Sequence, residues 1–498
     1  MTTNLADAFE ARAAATPDAP AIVVDDEVGL TYAELDERAN RLAQVLVDRG
    51  VGAGDRVGVL LANGNEHLEV LLACFKLRAL AVNVNTRYLP GEVASLLADA
   101  GTRLVVHEPE LAASIPAGLD GLARGDDYEA ALAAAEPTAL AADDRSGADH
   151  YVLYTGGTTG RPKGVVWRQG DLRLAALAAA DADFVGRRVF VACPLFHGTG
   201  QWMALAALLA GGTVVVSRHA SVDAVALWDL AGREQVSHLV LVGDAYALPL
   251  VEALEADPER WPLDALTVIL SGGAPLSTDV AGRLLRALPH LMVVDGYGAT
   301  ETGGHARIVH VAGAAPASAF LVDEDTAVLD DDLRPIAWDD PREGWLARRG
   351  PLPLGYEGDH DLTRQTFPIV DGERWAIPGD RARWVARGRL EILGRGSLTV
   401  NTGGEKVHVE EVEAVLRTHD GVVDAVVVGA PDDRWGEIVT AVVQAHPGQA
   451  PTLDELADHC RAQLAPFKVP RRLVLVDAVR RSASGKPDYR WARSTVGE

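Results

Sequence analysis

Apolar and polar positions near the N-terminus recur with the period of an α-helix. Apolar side chains stand every three or four residues from Leu35 to Leu46, with charged side chains between them. This spacing predicts an amphipathic helix with one buried face. Thr31 and Glu34 have the spacing of a capping box, so we expect the helix to begin after Thr31 and to end at Gly50.

Short apolar runs alternate with helical segments along the next part of the chain. Residues 56–63, 80–85 and 103–108 are apolar runs of the kind that forms buried strands, and helical patterns occupy 66–78 and 90–101. Strands that alternate with helices form crossover units and a mainly parallel sheet. The pattern therefore predicts an α/β fold.

The alternation resumes after an alanine-rich stretch, residues 131–149, which we predict to be a surface connection. From residue 188 onward several apolar runs end in Gly-rich or polar turns. Ligands of open α/β sheets bind at the carboxyl ends of the strands. We therefore expect a ligand site at these turns.

The pattern changes again near residue 394. A single strand is expected at 398–407 and a helix at 409–421, followed by two strands, a second helix and a last strand, which is a compact βαββα-like arrangement. About a hundred residues is a common domain size. We predict a large N-terminal domain, 1–395, and a small C-terminal domain, 396–498.

Composition and charge exclude several classes of protein. Of 498 residues 48% are hydrophobic and 23% charged, which is typical of a globular protein rather than a disordered one. The net charge of -25 disfavours nucleic acid and anionic lipid surfaces as partners. Cys74, Cys193 and Cys460 lack the spacing of a disulfide framework or a zinc site.

The N-terminus has charges of both signs and no apolar segment of signal-peptide type, and no stretch approaches eighteen uninterrupted apolar residues. We expect a cytoplasmic protein without stable membrane insertion.

The segment YTGGTTGRPKGV, Tyr154–Val165, has the composition of a phosphate-binding loop. A P-loop is excluded, because Lys163 precedes Gly164 instead of standing between a glycine and a Ser or Thr. Glycines allow the backbone to wrap an anion, and threonine hydroxyls bind phosphate oxygens. The candidate phosphate-binding residues are Thr155, Gly156, Gly157, Thr158, Thr159 and Lys163.

Six further motifs follow in order, and with this loop they resemble the adenylate-forming (ANL) superfamily of AMP-dependent ligases. They are PLFHGTGQW (194–202), SGGAPL (271–276), DGYGATETGG (295–304), PGDRARW (378–384), LGRGSLTVNTGGEKVHVEEVE (393–413) and RRSASGKPDYR (480–490). The amino-acid sequences of these motifs are similar to those of actinobacterial fatty and steroid-side-chain acyl-CoA synthetases. The resemblance covers nearly the whole chain and implies a multi-subdomain α/β domain with a small, mobile α+β lid.

The resemblance assigns the nucleotide site. It implies that Tyr297 stacks on adenine, that Thr300 binds phosphate and that Glu301 binds Mg²⁺, a hard cation that needs few protein ligands beside phosphates. Without the motifs, we would interpret Glu301 as an ordinary surface glutamate, and we would interpret Asp380 as a turn residue. The other implied ATP-binding residues are Gly272, Gly273, Ala274, Asp295, Gly296, Gly298, Asp380 and Arg395.

The resemblance also assigns the lid. Lys486 is similar to the lysine that the small domain inserts at the α-phosphate, where an ammonium stabilises the charge that develops during adenylation. On its own it reads as a solvated surface lysine. Ser397 occupies the hinge position, where the family usually has Asp or Lys, and Gly394 and Gly396 beside it allow wide backbone rotation.

The acid is expected beside the motif PLFHGTGQW. The resemblance implies that His197 lines the carboxylate pocket, although a buried structural histidine is the alternative, and core positions would equally explain Gln201 and Trp202. NTGGEKV is similar to the loop that admits the pantetheine arm of coenzyme A. The candidate substrate residues are His197, Gln201, Trp202, Val242 and Gly296.

The resemblance implies ATP-dependent adenylation of a carboxylic acid, release of pyrophosphate and transfer of the acyl group to coenzyme A. ATP and Mg²⁺ are the expected cofactors, and we allow for a homodimer. Three alternatives stay open: activation of nitrite for diazotisation of an arylamine, loading of a carrier protein, and a non-catalytic nucleotide-binding module. Thr300, Glu301 and Lys486 argue against the last of these.

Overall fold

A computed structural model gives the architecture of the protein. It describes residues 3–25, 28–138, 144–155, 162–177, 184–218, 223–315, 317, 319–395, 399–480 and 487–497. Lys486, Ser397 and residues 156–161 of the Gly-rich loop, which include the predicted phosphate-binding residues Gly156, Gly157, Thr158 and Thr159, lie outside the described residues.

The helices of the described chain are amphipathic or buried, as the periodicity predicts. The capping box at Thr31 is confirmed: the Glu34 backbone N–H donates to Thr31 Oγ1, and the Glu34 carboxylate accepts from the Thr31 backbone. In chain order the helices are α1 (Leu5–Ala15), α2 (Tyr32–Asp48), α3 (Asn65–Leu77), α4 (Pro90–Asp99), α5 (Asp126–Ala134), α6 (Gln169–Leu172), α7 (Gly198–Ala210), α8 (Ala224–Arg233), α9 (Gly243–Ala256), α10 (Thr278–Ala287), α11 (His360–Thr366), α12 (Val409–Leu416), α13 (Leu453–Arg461) and α14 (Tyr489–Val496).

The strands are numbered in the same way. They are β1 (Pro20–Val24), β2 (Val28–Thr31), β3 (Arg56–Leu60), β4 (Leu80–Asn83), β5 (Thr102–His107), β6 (Asp120–Ala123), β7 (His150–Thr155), β8 (Lys163–Arg168), β9 (Arg188–Val191), β10 (Thr213–Val216), β11 (His238–Leu241), β12 (Val268–Gly272), β13 (Met292–Ala299), β14 (Gly303–Val311), β15 (Phe320–Val322), β16 (Thr326–Leu329), β17 (Gly344–Arg348), β18 (Gly355–Tyr356), β19 (Ile369–Val370), β20 (Glu373–Arg374), β21 (Asp380–Ala386), β22 (Arg389–Arg395), β23 (Thr399–Thr402), β24 (Glu405–His408), β25 (Val422–Asp432), β26 (Gly436–Ala445) and β27 (Arg472–Val476).

A 13-stranded sheet forms the backbone of the large domain. Its strand order is β16-β17-β21-β22-β15-β14-β13-β12-β11-β9-β10-β1-β2. The run from β1 through β10, β9, β11 and β12 to β13 is parallel, as predicted, while the pairs from β13 to β16 are antiparallel. The antiparallel half was not predicted, since most of its strands follow one another without the intervening helices that mark crossover units.

Three smaller sheets complete the described part of the large domain, one of them the two-stranded antiparallel sheet of β19 and β20. β4, β3, β5 and β6 form a parallel sheet, and β18, β8 and β7 form an antiparallel one. β7 and β8 are the two stems of the Gly-rich loop, and their register pairs Thr155 with Lys163. The loop is therefore carried on a hairpin whose base is fixed by a third strand.

Two expectations about local structure are wrong. The connection predicted at 131–149 begins inside α5, because Tyr128 and Leu132 on that helix are buried. The single strand predicted at 398–407 is a hairpin, β23 and β24, which turns at Gly403 and Gly404 with positive φ. Helix α14 was not predicted.

The C-terminal sheet has the order β24-β23-β26-β25, with β27 pairing with β26. It has apolar clusters on both faces, one with α12 and α13 and the other with α14. It meets the large domain through Lys468, whose Nζ lies 2.5 Å from Glu92 of the large domain and 2.8 Å from Glu411 of the small one. The rings of Tyr88 and Phe467 stack beside this contact.

None of the described helices combines the length and hydrophobicity needed to cross a membrane.

Tyr32 gives a test of how helix α2 is anchored. Its buried hydroxyl lies 2.9 Å from the Leu208 carbonyl and 2.7 Å from the Gly212 carbonyl, and its ring stacks on Phe9. We expect Tyr32→Phe to keep the ring contact and to lower the free energy of unfolding by about 1–3 kcal/mol, because two buried carbonyls lose a donor.

Urea unfolding followed by tryptophan fluorescence measures this difference. Tyr32→Leu is the control that also removes the ring and should lose more stability. Equal urea midpoints for Tyr32→Phe and the unmodified protein would contradict this anchoring role.

Candidate functional site

A cavity of about 290 Å³ lies at the carboxyl ends of β12 and β13. Its wall also includes the N-terminus of α7, the stems of the Gly-rich loop and the turn between β23 and β24 of the small domain. Ten of the predicted site residues line this one space: Thr155, His197, Trp202, Val242, Gly272, Gly273, Gly296, Tyr297, Gly298 and Thr300.

Contacts with residues 356–359 hold both stems of the Gly-rich loop. The Tyr154 hydroxyl donates to Glu357 at 2.7 Å, and Lys163 Nζ lies 3.7 Å from Asp359 Oδ2. Lys163 Nζ also lies 5.9 Å from the centre of the Tyr356 ring. Lys163 is therefore placed beside the loop at the rim, outside the cavity lining.

The turn after β13 carries Thr300 and Glu301. Trp167 Nε1 donates to the Thr300 carbonyl at 3.0 Å, and the buried Thr302 hydroxyl accepts from the Ala299 backbone at 3.0 Å. The Tyr356 hydroxyl donates to Glu301 Oε1 at 2.7 Å. The turn is thus held on both sides by aromatic side chains.

The donor set fits a magnesium ion that is bound mainly by phosphates. Among the described residues no group of three or more His, Cys, Asp or Glu side chains is arranged to hold a metal ion. A single carboxylate, Glu301, stands next to a cavity-lining threonine, and Mg²⁺ typically uses one or two carboxylates together with substrate phosphates.

Tyr297, the residue predicted to stack on adenine, packs its ring edge-on against His305 and Phe320 with centroid distances of 5.4 and 6.0 Å. Besides Lys163, three of the predicted ATP-binding residues lie outside the lining: Ala274, Asp295 and Asp380. The side chain of Arg395 lies outside the described part of the chain. Asp380 is buried on β21, where its backbone pairs with that of Arg395 on β22.

Asp295 is buried on β13, between Val294 and Gly296, which both line the cavity. Burial and the neighbouring carboxylate of Asp244 raise the pKa of Asp295 to about 7, and a backbone hydrogen bond at Leu276 opposes them. Asp244 accepts a hydrogen bond from the Ser277 backbone at 2.8 Å. Asp295 is therefore a neutral or half-ionised acid near neutral pH.

Two residues of the predicted acid pocket, Gln201 and Trp202 on α7, form hydrogen bonds with other side chains and the backbone. Gln201 accepts from the Tyr151 hydroxyl and donates to the Leu195 carbonyl, and Trp202 Nε1 donates to the Tyr151 hydroxyl at 3.0 Å. Trp202 reaches the cavity with its ring, whereas Gln201 is buried behind the lining.

The small domain places a buried carboxylate at the cavity. Glu405 lies 3.1 Å from Arg87 Nη1, 3.1 Å from Asn85 Nδ2 and 3.2 Å from His197 Nε2. Burial raises the pKa of this carboxyl, but His197, Arg87 and the hydrogen bonds outweigh it and hold the pKa below its ordinary value. Glu405 therefore joins the predicted substrate histidine to the lid.

The backbone next to Glu405 also fits the large domain closely. Gly404 has φ +84° and lines the cavity, and a Cβ at this position would lie 2.8 Å from Val242 Cγ1. Only a residue without a side chain allows the hairpin turn to approach Val242 in this backbone conformation.

Several residues at the site were not identified from the sequence. Glu405 lies within NTGGEKV but was not singled out. Asn85, Arg87, Trp167 and Tyr356 act through partners more than fifty residues away, and no short motif carries that information.

Comparison with known proteins identifies the family. A model of AMP-binding enzymes matches residues 9–356, and a model of the AMP-binding enzyme C-terminal domain matches residues 411–486. The chain belongs to the AMP-binding enzyme family.

The curated relatives of this AMP-binding enzyme match it along its whole length. A 3-oxocholest-4-en-26-oate–CoA ligase from Rhodococcus rhodochrous is 38% identical, with 100% of this chain and 96% of the relative covered. Medium-chain acyl-CoA ligase Mig from Mycobacterium avium is 40% identical, covering 97% and 96%.

A solved structure matches the fold over the same extent. It is o-succinylbenzoate CoA synthetase from Bacillus subtilis bound to a product analogue, with 26% identity, a TM-score of 0.82, and coverage of 99% of this chain and 98% of that one.

The raised pKa of Asp295 has a consequence for stability. The unfolded carboxyl has a pKa of about 4, so the folded state binds the proton more tightly and loses stability as the pH rises from about 4 to about 7. We expect Asp295→Asn to remove this loss, which amounts to about 2–3 kcal/mol between pH 5 and pH 7.5.

Urea unfolding of both proteins across this pH range measures the effect. Asp244→Asn, which removes the neighbouring charge and keeps Asp295, should weaken the pH dependence without abolishing it. Parallel stability curves for Asp295→Asn and the unmodified protein would refute the raised pKa.

Proposed function

We propose that this AMP-binding enzyme activates a carboxylic acid with ATP and transfers the acyl group to coenzyme A. The observation that carries the proposal is the single cavity shared by Thr155, Tyr297 and Thr300 of the large domain and by Gly404 and Glu405 of the small domain. A nucleotide site, an acid pocket and a lid loop must meet in one space if both half-reactions occur there.

In the first step a carboxylate oxygen attacks the α-phosphorus of ATP, and the bond from that phosphorus to the β-phosphate bridging oxygen breaks. Pyrophosphate leaves and acyl-AMP remains. Thr155 and Lys163 support the proposal, since hydroxyl and ammonium groups at the loop stems stabilise the charge on the departing phosphates. We assign Lys486 to the α-phosphate on the basis of its motif.

Magnesium supplies charge neutralisation at the phosphates when bound. Glu301 is the residue that we propose to hold it. The residues around Glu301, including Trp167 and Thr302, orient the turn, and the cavity-lining Thr300 places a hydroxyl beside it.

The acid carboxylate is expected at the start of α7. This helix begins at Gly198, with His197 as the preceding residue, and both line the cavity. Unpaired backbone N–H groups and the helix dipole favour an anion at a helix N-terminus. The carboxylate is thereby held between His197 and the nucleotide residues.

In the second step the thiol of coenzyme A attacks the acyl carbon and AMP leaves with the bonding electrons. The lid orientation in the structure suits this step, because the turn at Gly404 and Glu405 forms part of the cavity wall. With Glu405 docked, the imidazole of His197 is held toward the small domain by a hydrogen bond. We infer that this contact keeps the thiol path beside the acid open.

The acid is expected to be apolar. The part of the wall behind His197 is made of Leu153, Met203, Val240, Leu270 and Val294. Among the described lining residues, the Asp, Glu, Lys or Arg side chains are Glu405 and Lys406, both from the small domain. A second carboxylate placed against the apolar part of the wall would be buried without a partner, which is strongly unfavourable.

The relatives support this class without fixing the acid. The names of the two curated relatives include a steroid acid and medium-chain acids. The alignment with the Rhodococcus ligase extends over 541 positions, more than the 498 residues present here, so the relative has insertions within the shared region. Because this one cavity is lined by both the predicted nucleotide residues and the predicted acid residues, its volume does not select among these acids.

Pyrophosphate release tests the proposal. The purified protein is supplied with ATP, Mg²⁺ and one of a series of straight-chain, aryl and steroidal acids, dicarboxylic acids or nitrite, each with and without coenzyme A. We expect release with apolar monocarboxylic acids and formation of a thioester only when coenzyme A is present.

Other outcomes would reject the proposal in favour of a stated alternative. Release that requires nitrite and an arylamine would establish diazotisation, and transfer to a carrier protein but not to coenzyme A would establish a loading enzyme. No acid-dependent release with any of these compounds would leave a nucleotide-binding module.

A further inference from the structure

Tyr356 occupies a short strand that is fixed against the Gly-rich loop hairpin. On either side of it, the Leu354 backbone N–H donates to the Val166 carbonyl and the Glu357 backbone N–H donates to the Gly164 carbonyl, at 2.7 and 2.8 Å. Gly355 has φ +146°, and a Cβ there would lie 2.3 Å from Thr363 Cγ2. The backbone position of Tyr356 is therefore strictly defined.

From this position Tyr356 reaches the carboxylate that we assign to the metal. Its hydroxyl donates to Glu301 Oε1 at 2.7 Å, and its ring lies beside Lys163 Nζ. Tyr356 and Glu301 are both half-buried. A hydrogen bond to a carboxylate in such surroundings is short and strong, so it limits rotation of the carboxylate.

The second oxygen of the carboxylate is left for a ligand. Within the described part of the chain, the Glu301 side chain accepts a hydrogen bond from Tyr356 at Oε1. No described cation pairs with its Oε2. The backbone at Thr300 is held independently by Trp167. The turn and the carboxylate thus have separate supports.

The same segment also supports the phosphate loop. Glu357 accepts from the Tyr154 hydroxyl, and Asp359 lies near Lys163, so both loop stems have side-chain contacts with residues 356–359. The groups that would contact the β- and γ-phosphates and the metal are therefore all positioned by one short segment, residues 356–359.

We propose that Tyr356 is a positioning residue for the metal-binding carboxylate of Glu301, an inference that rests on the proposed function through the assignment of Glu301. Its hydroxyl holds one carboxylate oxygen so that the other binds the cation that accompanies the ATP phosphates. Hydrogen bonds that orient a metal ligand typically change metal affinity by about 10–100-fold when they are removed.

Tyr356→Phe tests this role, because it removes the hydroxyl and keeps the ring beside Lys163. We expect the dissociation constant for Mn²⁺, used as a spectroscopic substitute for Mg²⁺, to rise about tenfold in the presence of α,β-methylene-ATP. Electron paramagnetic resonance of free Mn²⁺ measures this constant without any turnover. Binding of the analogue at saturating Mn²⁺ should change by no more than about twofold.

Two variants calibrate the measurement. Glu301→Gln should weaken Mn²⁺ binding more than Tyr356→Phe does. Tyr128→Phe removes a comparable tyrosine–glutamate hydrogen bond, 2.6 Å long between Tyr128 and Glu69, away from the cavity lining, and should leave Mn²⁺ affinity unchanged.

Activity gives a second readout. In the complete reaction with ATP and the acid, we expect Tyr356→Phe to slow pyrophosphate release. Raising the Mg²⁺ concentration should restore the rate, because the substitution lowers the affinity for the metal. Unchanged Mn²⁺ affinity in Tyr356→Phe, or in Glu301→Gln, would overturn the proposal. Failure of the proposed function is distinguishable, since the acid would then give no turnover while Mn²⁺ and the analogue still bind.

Discussion

A buried charge at the domain interface determines how the two parts of this protein fit together. Glu405 of the small domain lies in the wall of the large domain's cavity, and its charge is balanced by Arg87, with further hydrogen bonds to Asn85 and His197. Removing such a carboxylate from water is costly unless its partners are well placed. In the observed orientation of the small domain the Glu405 carboxylate has these partners, and Gly404 lies at the cavity.

The large domain meets this constraint with elements from separate regions of the chain. Asn85 and Arg87 follow β4 of the four-stranded sheet, whereas His197 precedes α7, which follows β9 of the 13-stranded sheet. The residues that receive Glu405 therefore come together only when the two sheets pack against each other.

The sequence predicts those parts of the molecule whose information is local. The capping box of α2, the parallel strands and the Gly-rich motifs are read from spacing within about twenty residues. The family motifs place most of the cavity lining, although Gln201 is held behind the wall by Tyr151. The roles assigned to individual residues, including those of Lys486 and Arg395, stay predictions.

What the sequence leaves out depends on contacts between distant segments. The hydrogen bond from Tyr356 to Glu301 joins positions 55 residues apart, and the pairing of Glu405 with Arg87 joins positions 318 apart. No pattern within a single segment encodes such a contact. The hairpin at Gly403 was mispredicted as one strand because its turn is only two residues long, and the end of α5 was mispredicted as a connection because an alanine-rich helix resembles irregular chain.

The central claim is that adenylation and thioester formation need different orientations of the small domain around one cavity. Locking the observed orientation tests it most directly. Glu92 and Lys468 face each other across the interface, and the native Cys74, Cys193 and Cys460 are buried. A Glu92→Cys/Lys468→Cys protein is bridged with a short, reducible bis-thiol reagent, and each half-reaction is measured before and after bridging.

We predict that the bridged protein converts supplied acyl-AMP and coenzyme A to thioester but releases no pyrophosphate from ATP and the acid until the bridge is reduced. Pyrophosphate release at the same rate with and without the bridge would contradict the account.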